Sequence, residues 1–241
     1  MEKPKILLIH GWNHLNYTSL GSVDAWGNRL NFTEALSKYF RVVRINLPGF
    51  GGQKDPQNPW TVNDYAEYIG GIIQTEKPDY ILGYSFGGAI VLHWKKLSGD
   101  TKTRTFLVSP AIIRQYEEKD LGGIQKVLKA VLPRSLISLL RDLYLTKFRR
   151  NPYYSKATKV MRETYRKIVA VDLRNDLLEV LCPVTLIYGE CDTATPVLLV
   201  KETISKSRAQ HTLHVIHDGG HDIANTHTSE LVSLITKGLE V

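Results

Sequence analysis

Short runs of Val, Ile, Leu and Tyr recur along the chain, and most are followed by a longer stretch whose apolar positions fall every three to four residues. The runs at 5–10, 41–47, 79–84, 103–109, 183–189 and 212–217 lack clean polar alternation, which predicts strands covered on both faces. Between them the spacing predicts helices over 27–39, 62–75, 86–97, 196–205 and 229–239. Asn63 and Asp64 near the start of the second helix, Pro196 at the start of the fourth and Ser98-Gly99-Asp100 at the end of the third are boundary signals. Strands alternating with helices predict βαβ units. The fold class is therefore α/β, a mostly parallel sheet of about six strands flanked by helices.

One stretch breaks the alternation. From 111 to 181 there is no strand pattern. Ile124, Val127, Leu128, Val131 and Leu132 form one helical stripe, Pro133 interrupts it, and Leu136, Leu139, Leu140 and Leu143 resume it. A further stripe runs through Val160, Met161, Tyr165, Ile168 and Val169. The segment is too long for a loop. It predicts a helical cap over 111–181, inserted after the fourth strand and laid over the carboxyl edge of a core made from 1–110 and 182–241.

Composition narrows the class without changing the fold. A chain of 241 residues can bury one sizeable core, and 43% hydrophobic with 23% charged residues is ordinary for a globular protein. No apolar run approaches the ~18–20 residues of a membrane span, so stable membrane insertion is not expected. The apolar run after Met-Glu-Lys-Pro-Lys is brief and no small-residue cleavage site follows, so it reads as the first core strand. A cytoplasmic location is expected. Cys182 and Cys191 stand at opposite ends of the fifth predicted strand, too far apart for a disulfide, and are read as reduced thiols. The net charge of +7 lies wholly within 111–180, because the rest of the chain carries equal numbers of basic and acidic side chains. No nucleic-acid recognition motif accompanies it.

Chemistry is concentrated at strand ends. Gly83-Tyr84-Ser85-Phe86-Gly87-Gly88 fits G-x-S-x-G, with a strand before it and a helix after it. A serine on such a turn projects its hydroxyl into the open only if the neighbouring side chains are absent, which explains the glycines. The following helix start offers the Phe86 N–H to a developing oxyanion, and His10-Gly11-Trp12 after the first strand offers a second, the Trp12 N–H. His10 itself is read as structural. Asp192 follows the fifth strand and His221 the sixth. Glu190, Asp218 and Asp222 are rival carboxylates, with Glu190 the runner-up. His211, His214 and His217 alternate faces along a strand, so no metal set is expected from them.

Together, Ile9-His10-Gly11-Trp12, Asn46-Leu47-Pro48-Gly49-Phe50-Gly51, the Ser85 hexapeptide, Gly189-Glu190-Cys191-Asp192 with Pro196, and Gly219-Gly220-His221 resemble the α/β-hydrolase superfamily over essentially the whole chain. The resemblance implies a nucleophile Ser85, an orienting acid Asp192 and a general base His221, in the family's order, with no metal or organic cofactor. Some members carry the acid one strand earlier, but Leu107-Val108-Ser109-Pro110 offers no carboxylate there. The family's usual first two antiparallel strands are missing, which implies a minimal six-stranded sheet. A serine at the elbow argues against haloalkane dehalogenases and epoxide hydrolases, which resemble this layout but use a carboxylate. The expected activity is hydrolysis of small or medium carboxylic esters. Size and layout also resemble the pimeloyl-carrier-protein methyl ester esterases, for which a basic cap would suit an anionic substrate or an acidic carrier protein. Thioester or carbon–carbon bond hydrolysis on the same residues is the alternative, and a non-catalytic receptor a third reading.

Overall fold

The computed structural model describes residues 2–114, 151–237 and 239. All six predicted strands form: β1 (Lys5–Ile9), β2 (Arg41–Ile45), β3 (Tyr80–Tyr84), β4 (Arg104–Val108), β5 (Thr185–Gly189) and β6 (Thr212–Ile216). They make one sheet in the order β2-β1-β3-β4-β5-β6, and every pairing is parallel. The chain thus steps outward from β1 to β2, crosses back to β3 and then proceeds in one direction. That reversal between β1 and β3 opens a crevice at the carboxyl ends of the strands, where ligands bind in sheets of this kind.

Alternation along the strands splits the core in two. Leu7, Ile9, Ile81, Leu107, Leu186 and Tyr188 face one layer, which contains α2 (Val62–Glu76) and α3 (Phe86–Ser98). Ile6, Leu8, Leu82, Tyr84, Val108 and Ile187 face the other, which contains α1 (Leu30–Ser37) and α9 (Thr228–Thr236). Both sheet faces are covered, which is why the strands read as nearly continuous apolar runs. Helix ends follow their local chemistry. Thr61 caps α2 with a reciprocal Thr61–Asp64 box, and the helix starts at Val62 as the spacing predicts, with Asn63 and Asp64 in its first turn. Gly99, at φ 62°, ends α3 where Ser98-Gly99-Asp100 predicts a stop.

Between β4 and β5 the described residues hold three helices and no strand: α4 (Pro152–Ser155), α5 (Lys159–Val169) and α6 (Arg174–Glu179). The stripe through Met161 and Ile168 is the buried face of α5. Polar ties fasten this segment to the core: Tyr17 Oη donates to the Tyr153 carbonyl at 2.7 Å, and Thr158 Oγ1 donates to Asp55 at 2.5 Å. The predicted stripes over 124–143 and the basic run 147–150 lie outside the described residues. After Pro196 the chain forms α7 (Val197–Ile204), and β6 leads through a short loop into α8 (Ile223–Thr226). Among the described residues no helix is long and apolar enough to cross a membrane. Cys182 and Cys191 are both unbridged.

Candidate active site

Ser85 occupies the turn between β3 and α3 with φ 51° and ψ −113°, a left-handed backbone that a side chain adopts only under strain. Its N–H donates to the Val108 carbonyl at 2.8 Å, and its carbonyl accepts from Ala89 and Ala111. The turn is therefore held from three directions. Space decides the glycines around it. A Cβ at Gly87 would run into the carbonyl oxygens of Ile9 and His10, so α3 could not start this close to β1. A Cβ at Gly189 would likewise meet the backbone of Gly219 and Gly220, so the loops after β5 and β6 can touch.

That touch brings Asp192 and His221 together. Cys191 N–H donates to the Gly219 carbonyl at 2.8 Å, and His221 Nδ1 lies 2.8 Å from Asp192 Oδ2. His221 Nε2 lies 3.0 Å from Ser85 Oγ. The three side chains, 136 and 29 residues apart along the chain, form one continuous hydrogen-bonded line. Asp192 is buried. Burial alone would raise its carboxyl, but the hydrogen bonds from His221 and Thr195 outweigh that and hold it below the usual carboxylate range. Thr195 was not singled out by sequence reasoning, yet its hydroxyl donates to Asp192 Oδ2 at 2.6 Å and its N–H to Oδ1 at 2.9 Å. Its place three residues after an aspartate on a turn was the available signal.

The rival carboxylates are engaged elsewhere. Glu190 accepts from His217 at 2.6 Å on the surface, Asp218 lies 3.5 Å from His217, and Asp222 pairs with Arg29 at 2.7 Å. Glu190, His217 and Asp218 are also the one exposed trio among the described residues with spacing suited to a metal ion. The other two histidines near this strand do not join it: His211 bonds the Leu177 carbonyl, and His214 lines a separate pocket with Tyr80 and Arg104. His10 accepts the Leu47 N–H at Nε2 (2.9 Å) and donates from Nδ1 to the Gly11 carbonyl (2.8 Å), as a structural residue should. Burial pushes its pKa down to about 4, so the ring is neutral at physiological pH.

Trp12 and Phe86 lie beside Ser85. Their rings meet at 5.4 Å, and the turn at Gly11 passes close enough that a Cβ there would stand 3.6 Å from Ser85 Oγ. Neither backbone N–H donates to a protein acceptor among the described residues. A cleft of about 360 Å³ opens over this arrangement. Trp12, Phe86, Tyr153 and Tyr165 form an aromatic wall, and Asn28 and Arg29 line a polar side near His221.

The alpha/beta hydrolase family profile matches residues 6–234. The chain is 24% identical over 258 residues to the AB hydrolase superfamily protein YisY of Bacillus subtilis, covering 96% of this chain and 90% of that one. It is also 24% identical over 224 residues to a pimeloyl-[acyl-carrier protein] methyl ester esterase of Vibrio campbellii, covering 83% and 81%. An esterase from Exiguobacterium antarcticum has the same fold, with TM-score 0.68, 17% identity and coverage of 98% and 91%. A parallel sheet with a strained serine turn at its carboxyl edge, matched by the profile over nearly its full length, makes this chain a member of the alpha/beta hydrolase family.

Proposed function

We propose that this hydrolase cleaves small or medium carboxylic esters by a serine mechanism, with Ser85 as nucleophile, His221 as general base and Asp192 as orienting acid. The observation that carries the reading is the unbroken Asp192–His221–Ser85 hydrogen-bond line opening into the cleft. With Nδ1–H given to Asp192, His221 Nε2 is the acceptor and takes the Ser85 proton as Oγ attacks the ester carbonyl. The Trp12 and Phe86 N–H groups receive the negative charge on the carbonyl oxygen. His221 then returns the proton to the departing alcohol, leaving an acyl-Ser85 that water hydrolyses by the same route. No step requires a metal or organic cofactor. Residues 111–181 act as the cap over this cleft, carried by a core of 1–110 and 182–241.

A fluorophosphonate probe followed by peptide mapping tests the nucleophile: labelling at Ser85 is expected, and labelling elsewhere or nowhere overturns the assignment. An ester panel varying acyl length and charge tests the substrate class. Turnover of thioesters or vinylogous diketones far above every carboxylic ester would favour the alternative chemistries.

The anionic or carrier-bound substrate rests on charge and on kinship. The +7 lies in 111–180, and the Vibrio campbellii relative is named for a carrier-protein ester. Charge near a cleft mouth acts on encounter, screened over ~10 Å at about 0.1 M salt. For an anionic ester, kcat/KM should fall with added salt and with charge reversal at Arg149 and Arg150, while a neutral ester stays nearly flat. Equal salt dependence for both esters removes the carrier from the reading.

A further inference from the structure

The loop carrying His221 is tied to the β5 loop at Gly219 by the Cys191 N–H, but that tie lies two residues ahead of the histidine. Asp218 sits at φ 53°, and Gly219 and Gly220, the two most freely rotating residues available, immediately precede His221. A base on such a loop keeps its distance to Ser85 only if something outside the loop fixes its backbone. Tyr84 meets that need. Its hydroxyl donates to the His221 carbonyl at 2.7 Å, 137 residues away in the chain. Its ring is buried on the α1/α9 side of the sheet, edge-on to the imidazole at 6.3 Å. The Arg29 guanidinium covers that ring, with Cζ 4.4 Å from the centroid, and bonds Asp222 at 2.7 Å. Only 11% of the Arg29 side chain is exposed. The His221 carbonyl and the neighbouring Asp222 carboxylate are thus held by one stacked pair.

We propose that Tyr84, backed by Arg29 and Asp222, is a positioning residue that registers His221 to Ser85. It rests on the reading of these two as base and nucleophile. Tyr84 is the residue immediately before Ser85 on β3, so the strand that presents the nucleophile also sets the backbone of the base. Motion of the β6–α8 loop against the sheet then opens the Nε2–Oγ distance only by breaking this half-buried hydrogen bond. The hydroxyl holds a main-chain carbonyl and leaves the imidazole free to turn. Tyr84 lines the same cleft as Ser85 and His221, but its hydroxyl is directed to the His221 carbonyl.

Tyr84→Phe removes only that hydroxyl, and an error of ~1 Å in the placement of a reacting group can cost on the order of 10²-fold. With active sites titrated by fluorophosphonate, the variant should lose about tenfold in kcat, with KM within about twofold of wild type. The rate of phosphonate labelling should fall by a similar factor, and the acid limb of the kcat/KM profile should keep its midpoint. A purely structural hydroxyl would lower the melting temperature and leave kcat per titrated site unchanged, which overturns the proposal. If Tyr84→Phe does not fold, Asp222→Asn loosens Arg29 from the partly exposed side, and unchanged kcat and labelling rate there overturn it equally. Ser85→Ala in the same assay separates the two claims. Turnover surviving in Ser85→Ala sinks the serine reading itself, whereas a dead Ser85→Ala beside an unaffected Tyr84→Phe sinks only the clamp.

Discussion

Where the loops after β5 and β6 meet, two contacts pair a carboxylate with a histidine. Glu190 and His217 lie 2.6 Å apart with side chains 51% and 83% exposed. Asp192 and His221 lie 2.8 Å apart with side chains 0% and 34% exposed. By distance alone the surface pair is the better ion pair. It holds the Glu190 carboxyl low and the His217 imidazole high, but water screens it, and the second imidazole nitrogen faces only another exposed carboxylate, Asp218 at 3.5 Å. The buried pair has its carboxylate enclosed by Thr195 and the Ala194 N–H, and its second imidazole nitrogen reaches Ser85. A carboxylate–histidine contact becomes chemically useful through what lies on the far side of the imidazole, not through its own shortness.

Substitution can break that contrast. Ser85→Ala or His221→Ala should remove ester turnover by roughly 10⁵-fold or more, and the double variant should be scarcely worse, because such residues act as a unit. A chromogenic ester assay measures this, and a tenth of the activity surviving in Ser85→Ala would end the nucleophile assignment. Asp192→Asn should cost about 10³–10⁴-fold in kcat with KM little changed, since its carboxylate works through His221.

A third histidine sharpens the contrast. Both ring nitrogens of His10 are taken by backbone groups, so it has no proton to exchange with a substrate, and burial lowers its pKa from 6.5 to about 4. The unfolded chain therefore binds this proton below pH ~6.5 while the folded one refuses it, and stability falls as pH drops through that window. Roughly 3 kcal/mol should be lost by about pH 4 from this residue. Urea unfolding at pH 7 and pH 4.5 should show a shallower acid loss in His10→Asn than in wild type. An identical slope in both proteins would mean His10 is protonated in the folded state.

The smallest effect belongs to the surface pair. Glu190→Gln and His217→Ala should each leave kcat/KM within about twofold of wild type, consistent with the small worth of exposed pairs. A larger loss from Glu190→Gln than from Asp192→Asn would exchange their roles.

Much of this was legible before any coordinates. The strand at 79–84, the turn at Ser85 and the helix from 86 are written locally, in an apolar run, small residues and a 3.6-residue period. Asp192 and His221 were legible as residues following strands. Thr195 was legible only as a hydroxyl three residues after Asp192, and Tyr84 and Arg29 were not legible, because a phenol and a guanidinium say nothing about partners 137 and 193 residues away. Likewise, the bounds 27–39 merge what the structure divides into a 3₁₀ turn at Gly27–Arg29 and α1, since a small apolar period cannot mark the change of pitch.

The sequence by itself determined that the chain forms a parallel α/β sheet with a sharp serine turn after β3, and which serine, aspartate and histidine stand at its strand ends. Those features depend on spacing within a few residues. Only the tertiary structure decided that Asp192 rather than Glu190 meets His221, that Thr195 satisfies the buried carboxylate, and that the Tyr84 hydroxyl meets the His221 carbonyl. Glu190 and Asp192 are two residues apart on one turn, and it is the packing of the two loops that leaves the first exposed and encloses the second.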